Sequence, residues 1–563
     1  MKRKIVQLCL FGLVWLLAAC QTAAPAVDEA DQEQPGEVQQ EVATSEAPAP
    51  TEAAPEESAD ERSGGTLIYA LDQEPDLLDP NKSGIRNAQI VFFNIFDALI
   101  ALDPVTQEFK PWLATSWEIS EDGRSYTFHL RDDVTFHDGT PFNAEAVAFN
   151  FERHHDPDSP TRGQGAIGYY ESSEVLDEFT VRINLNEPLA AFLDYCSFAY
   201  RMVSPAGVEQ FGDDFSRNPV GTGPFRFVEW VANDHITLER YEDYNWAPET
   251  MMHQGPAFLD TVIFRQIPDA GTRAASLENG EVNAAVMLPP VEAERLAADP
   301  DFQLLVGVAP GVPFVFALNT TKPPTNELAV RQAMNYGLDR EAMVNIVFGP
   351  YQQYDANTAA HNILTPNVFG YDASAEIYDY DPERAGQLLT DAGWVDNDGD
   401  GIREKDGEPL TIILATWEEQ SVADVAQVQL RDIGINVDLR VMPALSVNEL
   451  QREGESHGSP VPAARSDPDV LTLFMHSRNL GNFNFTFMND PELDSMLDAA
   501  SIETDREKRA NLYSELSHFV MEQALVMPMY NRDNLVVATT NVRDMIFDRA
   551  FFPIMYDTWM EGG

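Results

Sequence analysis

Asp396, Asp398 and Asp400 alternate in the run Asp396-Asn397-Asp398-Gly399-Asp400-Gly401-Ile402. Hard divalent cations take oxygen ligands. Calcium loops supply them from positions 1, 3 and 5, with glycine at 6 and a backbone carbonyl at 7. The three aspartates, Gly401 and the Ile402 carbonyl fill those places, a set suited to a structural calcium ion. Position 12 is Gly407, where such a loop carries glutamate, so Asp406 or Glu408 is left to substitute. The same run also reads as an acidic turn that holds no ion. Catalytic constellations are scarce: the chain has no His-Glu-x-x-His pair and no Walker lysine. His154 and His155 are adjacent rather than four apart, so on a helix their rings point apart and the pair reads as a solvated helix end.

The chain has 563 residues, too many for one ordinary core, and 44% of them are hydrophobic, as in a globular body of two or three domains. A formal net charge of -56 with a sequence pI near 4.2 excludes the basic footprint of a nucleic-acid binder. It fits a solvated acidic surface, or attraction for a cation or basic ligand. Cys9 and Cys20 lie near the N-terminus, which leaves Cys196 alone in the body with no intrachain disulfide open to it. Beside Phe192 and Tyr195 it reads as a buried hydrophobe.

Residues 1–20 read as a secretory leader. Lys2, Arg3 and Lys4 precede an apolar stretch at 5–17, shorter than the ~20 residues of a membrane span. Leu17-Ala18-Ala19-Cys20 resembles a lipobox, which implies a signal peptide and acylation of Cys20 by membrane lipid. Residues 21–63 are rich in Ala, Pro, Glu and Gln and bury too little apolar surface to fold; they read as a disordered acidic linker.

The elements that must position any site begin at Gly64. The stretch 112–153 reads as two strands, a turn and a helix. Tyr126, Phe128 and Leu130 alternate with Ser125, Thr127 and His129, the period of a half-buried strand. Asn143 is a good N-cap, and Ala144, Val147, Ala148 and Phe151 share one helical face. Taken together, Tyr126-x-Phe128-x-Leu130-Arg131-Asp132-x-Val134-x-Phe136-His137-Asp138-Gly139-x-Pro141 resembles the signature of the family 5 solute-binding proteins of ABC importers. That family contains oligopeptide-, dipeptide- and nickel-binding proteins. Asn218-Pro219-Val220-Gly221-Thr222-Gly223-Pro224-Phe225 is a second string of this kind, physically a constrained turn. Phe314 to Leu318 is a near-continuous apolar strand, as expected of one buried on both faces. Helices are expected at 188–200, 326–348, 382–392, 421–431, 490–500 and 506–522, a helix running into a strand at 90–102, and a loop at 453–464.

The resemblance implies an α/β fold of the type II periplasmic-binding-protein kind, two lobes with a hinge plus an extra subdomain. On it, 64–104, 217–312 and 526–563 form lobe I, 105–216 the extra subdomain and 313–525 lobe II. It implies a binding protein rather than an enzyme. A peptide is held between the lobes and delivered to an ABC permease and ATPase complex, by a monomer lipid-anchored outside the membrane, in the periplasm or on the cell surface, with no cofactor required. Nickel chelates and oligosaccharides are the alternatives within the family. A secreted hydrolase or a surface scaffold is the alternative outside it. In peptide-binding members an aspartate in the segment matching Arg465-Ser466-Asp467-Pro468-Asp469 pairs with the ligand's α-ammonium, so Asp467 or Asp469 is implied here; a helix cap is the competing reading. Trp417 is a candidate pocket wall or a core residue. Arg86 and Asn87 follow the first strand and are candidates for the opposite wall, with Arg86 a carboxylate partner. Phe474, His476 and Asn482 follow the aspartates and are candidates for the cleft face.

Overall fold

A computed structural model describes residues 62–562, save Val105, 157–168, Pro462 and 549–551. The leader, the linker and Cys20 lie outside the described residues.

Three sheets organise the body. The largest has seven strands in the order Phe302–Val308, Asp533–Thr539, Ala284–Val286, Thr66–Leu71, Thr261–Gln266, His235–Arg240, Phe225–Val231. A four-stranded antiparallel sheet is drawn from 114–185. A five-stranded sheet runs Asn436–Val441, Thr411–Thr416, Gly458–Pro460, Phe314–Leu318, Val526–Tyr530. Period-2 alternation sorts side chains between cores. In the strand Thr66–Leu71, Leu67, Tyr69 and Leu71 enter the core shared with the four-stranded module, and Ala70 enters the one that continues under the five-stranded sheet. The strands Phe314–Leu318 and Val526–Tyr530 are buried at every position, which is why they read as unbroken apolar runs.

Strand directions place the cleft. Thr66–Leu71 is parallel to Thr261–Gln266 and Ala284–Val286. Phe302–Val308 runs the same way, because each is antiparallel to Asp533–Thr539. In the five-stranded sheet Thr411–Thr416 is parallel to its neighbours on both sides, and Phe314–Leu318 is antiparallel to Gly458–Pro460 and Val526–Tyr530. The chain crosses between the sheets twice, at 308–314 and at 530–533. Both crossings therefore join the carboxyl edges of the parallel strands. Those edges flank the hinge, where ligands of open α/β sheets bind.

The signature module folds as its pattern implies. The strand Ser125–Leu130 buries Tyr126, Phe128 and Leu130, and Asn143 Oδ1 accepts the Ala146 N–H at 3.0 Å to cap the helix Ala144–His154. The 218–225 string packs backbone on backbone: Gly223 N–H donates to the Ile95 carbonyl at 2.8 Å, and Gly221 accepts from His137 N–H at 2.9 Å.

Several expectations need correction. The stretch 326–348 is two helices, Leu328–Tyr336 and Arg340–Phe348, because Gly337 ends the first and Asp339 Oδ1 caps the second from the Ala342 N–H at 2.8 Å. The stretch 188–200 narrows to the helix Phe192–Phe198, and the helix expected from 90 is Arg86–Phe92, with the strand Ile100–Leu102 after it. The expected loop 453–464 contains the strand Gly458–Pro460; Gly458 permits it, since a Cβ there would lie 2.6 Å from Leu414 Cδ2. His154 is not a solvated helix end. It is 1% exposed, its ring lies 4.8 Å from Tyr200 and 5.3 Å from His155, and burial pushes its pKa down to about 3. Tyr200, on a segment 46 residues away, covers it, which helical spacing alone does not show. Cys196 is free and buried, as expected.

Candidate ligand cleft

On the seven-stranded side, the carboxyl edge continues from Leu71 into Asp72. Arg86 Nη2 meets Asp72 Oδ1 at 2.7 Å, and Asn87 Nδ2 donates to Asp72 Oδ1 at 2.9 Å and to the Gln73 carbonyl at 2.8 Å. Asn87 is buried, so its amide fixes this turn, while Arg86 presents a charge paired one to one. Arg273, from the helix Ala270–Glu278, seals the same edge by donating to the carbonyls of Ile267, Pro268, Val286 and Met287. An arginine spent on strand-end carbonyls is positioning the edge itself.

On the five-stranded side, the strand Thr411–Thr416 leads into half-buried Trp417, then Glu418 and Glu419 ahead of the helix Gln420–Asp432. Arg532, in the second crossing, lies within 3.3 Å of Glu418 and 3.6 Å of Glu419. Sequence reading passes over these three residues; the available signal is two glutamates just past the end of an apolar strand, after Trp417.

Asp467 and Asp469 stand deeper. Arg509 holds Asp467 through two bonds of 2.7 Å, and Asp467 Oδ1 also accepts the Asp469 N–H at 2.8 Å at the head of the helix Val470–Met475. The carboxylate of Asp467 is thus matched within the protein. It lines a cavity of about 230 Å³ with Tyr126, Leu193, Phe369 and Arg506. Asp469 is 8% exposed; its carboxylate accepts from Ser501 and from Thr472 Oγ1, and burial, then the charge of Asp467, pushes its pKa up. Nearby, Ser466 Oγ donates to Asp194 Oδ1 at 2.8 Å, and Ala190 N–H donates to the Ser501 carbonyl at 2.8 Å, which ties this segment to the four-stranded module.

The remaining candidates scatter. Phe474 packs against the core of the five-stranded body. His476 is buried between Asp494 and Asp498, at 3.2 Å from each. Asn482 is exposed. In the acidic loop, ligand oxygens of Asp396, Asp398, Asp400 and Glu404 lie within 4.8 Å of one another. The fourth carboxylate is Glu404 rather than Asp406, which sits at φ +57° in the turn between Glu404–Lys405 and Glu408–Pro409. Ile402 N–H donates to Asp400 Oδ1 at 2.7 Å, so the loop already turns as the spacing implies.

One catalytic-looking pattern does occur: Gly454-Glu455-Ser456-His457-Gly458 satisfies Gly-x-Ser-x-Gly. A nucleophile elbow needs an exposed serine at a strand-to-helix turn. Ser456 is 5% exposed, its hydroxyl pairs with Ser459 Oγ at 2.7 Å, and the His457 ring bonds the Ile413 N–H and the Pro323 carbonyl. The pattern therefore supplies no nucleophile.

Two α/β lobes joined by two crossings, with an extra subdomain and the cleft at facing strand edges, define a type II periplasmic binding protein. The model for bacterial extracellular solute-binding proteins, family 5, matches residues 108–479, and the chain belongs to that family. It is 29% identical over 475 residues to the glutathione-binding protein GsiB of Salmonella typhi, spanning 82% of this chain and 88% of that one. The structure of NikA from Brucella suis in complex with Fe(III)-EDTA matches 88% of this chain and 100% of its own, at 26% identity and a TM-score of 0.77. That of the ABC transporter-associated protein DppA from Helicobacter pylori, in complex with peptide STSA, matches 89% and 99%, at 26% identity and a TM-score of 0.71. The protein is thus a substrate-binding component of an ABC transporter, acting outside the cytoplasm and delivering its ligand to the permease, and it is not an enzyme. Among the described residues no helix is long and apolar enough to cross a membrane.

Proposed function

We propose that this chain captures peptides in the cleft, as a monomer, and closes on them. The observation that carries this reading is the pair of facing strand edges with charges of both signs, Asp72 and Arg86 on one and Glu418, Glu419 and Arg532 on the other. A peptide is a zwitterion whose ends need opposite partners, and its main chain can bond to strand edges. The likeness to DppA and GsiB supports it. Closure is a population shift, since a ligand touches both edges only in the closed form. Native mass spectrometry of the purified protein is expected to show a co-purified peptide. A chelated metal in its place would favour a second reading, which rests on the likeness to NikA.

Cys20 is the proposed lipid anchor, on the strength of Leu17-Ala18-Ala19-Cys20. Cys20→Ala should leave the protein unprocessed or released from membranes. Unchanged leader removal and membrane fractionation would refute the anchor.

The acidic loop is proposed to hold a structural calcium ion through Asp396, Asp398, Asp400, Glu404 and the Ile402 carbonyl. A ligand that binds only the folded state stabilises it by about 2.7 kcal/mol at a hundredfold excess over Kd. Calcium should therefore raise the melting temperature, and chelator or Asp398→Asn should abolish the rise. Equal melting in calcium and chelator would leave the loop as a plain turn.

A further inference from the structure

Arg532 lies at the hinge with its guanidinium over the Phe314 ring, 5.4 Å from the centroid. Two carboxylates meet this one cation: Glu418 Oε1 at 3.3 Å and Glu419 Oε1 at 3.6 Å from Arg532 Nη2. The charges do not balance, and one negative charge is left over. The hydrogen bonds do not balance either. Glu418 Oε1 and Arg532 Nη2 are both enclosed by protein and face each other at 3.3 Å without the geometry of a hydrogen bond, and among the described residues Arg532 donates only from Nε, to Tyr530 Oη at 3.4 Å. Other ion pairs of the region are complete. Asp467 and Arg509 match one to one through two bonds, and Asp72 and Arg86 match one to one at 2.7 Å. A half-satisfied polar network in a sheltered site is costly, and an excess carboxylate there is stabilised by any cation that reaches it. Its position decides what can reach it. Both glutamates follow Trp417, just past the carboxyl end of Thr411–Thr416 on the edge that faces the cleft, and all three side chains remain 27–33% exposed.

We propose that Glu418 and Glu419 form a cation subsite at the hinge end of the cleft, which takes an ammonium or guanidinium group of the ligand. Resting on the peptide reading above, this makes the chain a binder of basic peptides or of peptides held by their free amine. Arg532 limits the site to one added charge and holds both carboxylates toward the ligand.

Calorimetry on the purified full chain at low ionic strength tests this. The probes are alanine tetrapeptides with one lysine at each position in turn, their norleucine twins, each free and N-acetylated, and the diamine cadaverine. Wild type should bind at least one cation-bearing peptide tenfold or more tighter than its uncharged twin. The free and acetylated arms show whether side chain or α-amine supplies the charge. In Glu418→Gln/Glu419→Gln the preference should fall below threefold while the uncharged twin still binds, which also shows that the variant is folded; single Glu418→Gln carries the comparison if the double variant unfolds. Equal binding of charged and uncharged twins by wild type, or a preference unchanged in the variants, overturns the subsite. If no peptide binds but cadaverine does, and needs the glutamates, the subsite stands and the peptide reading falls. If neither class binds, both fall.

Discussion

Replacing Arg509 by methionine is expected to lower the unfolding free energy of the folded body by about 3–5 kcal/mol, the cost of stripping one partner from a buried ion pair. Arg509 is 7% exposed, pairs with Asp467 through two bonds of 2.7 Å and donates from Nε to the Ala500 carbonyl at 3.1 Å. Its removal leaves the Asp467 carboxylate unmatched beside Asp469, which burial already makes reluctant to ionise. Adding Asp467→Asn to the same chain should recover much of the loss, because deleting both charges removes the orphan. Urea unfolding of wild type, Arg509→Met and the double variant is the measurement. A loss below about 1 kcal/mol for Arg509→Met would mean that the pair is solvated like a surface salt bridge.

Gly221→Ala should be of similar size, about 3 kcal/mol or more, at the upper end of overpacking costs. A Cβ at this position would lie 2.2 Å from the Ile95 carbonyl oxygen and 2.4 Å from Phe96 Cδ1. The first is backbone and cannot swing aside without losing the bond of 2.8 Å that it accepts from Gly223 N–H. The control is Gly271→Ala in the helix Ala270–Glu278, where the added methyl meets only Asp269 Oδ1, at 3.5 Å. Helix propensity should make that change neutral or stabilising by up to ~1 kcal/mol. If the two variants melt together, close backbone approach is not what the 218–225 string provides.

What could be read without coordinates was the local and the periodic. Ser125–Leu130 and Thr180–Leu185 alternate in sequence and are buried at every second residue in the fold. Asn143 was recognisable as a cap because capping involves residues within one turn. Long-range pairing was not visible. Nothing near Asp467 announces Arg509, 42 residues on, and a candidate ammonium partner turns out to have an internal one. His154 depends on Tyr200 for its burial. In the acidic loop Glu404, not Asp406, lies close to the three aspartates, because the chain turns into a hairpin and carries Asp406 to its tip. The hinge cluster needed topology as well as sequence. Arg532 lies over a hundred residues from Glu418 and Glu419, and only the shared carboxyl edge brings them together.

Calorimetric titration of the purified full chain with a free-amine tetrapeptide and, separately, with a nickel chelate tests the peptide reading most directly. Peptide binding at about micromolar Kd or tighter, with a negative heat-capacity change from burial between the lobes and no heat from the chelate, is the expected result. Saturable binding of the chelate with none of the peptide would contradict it.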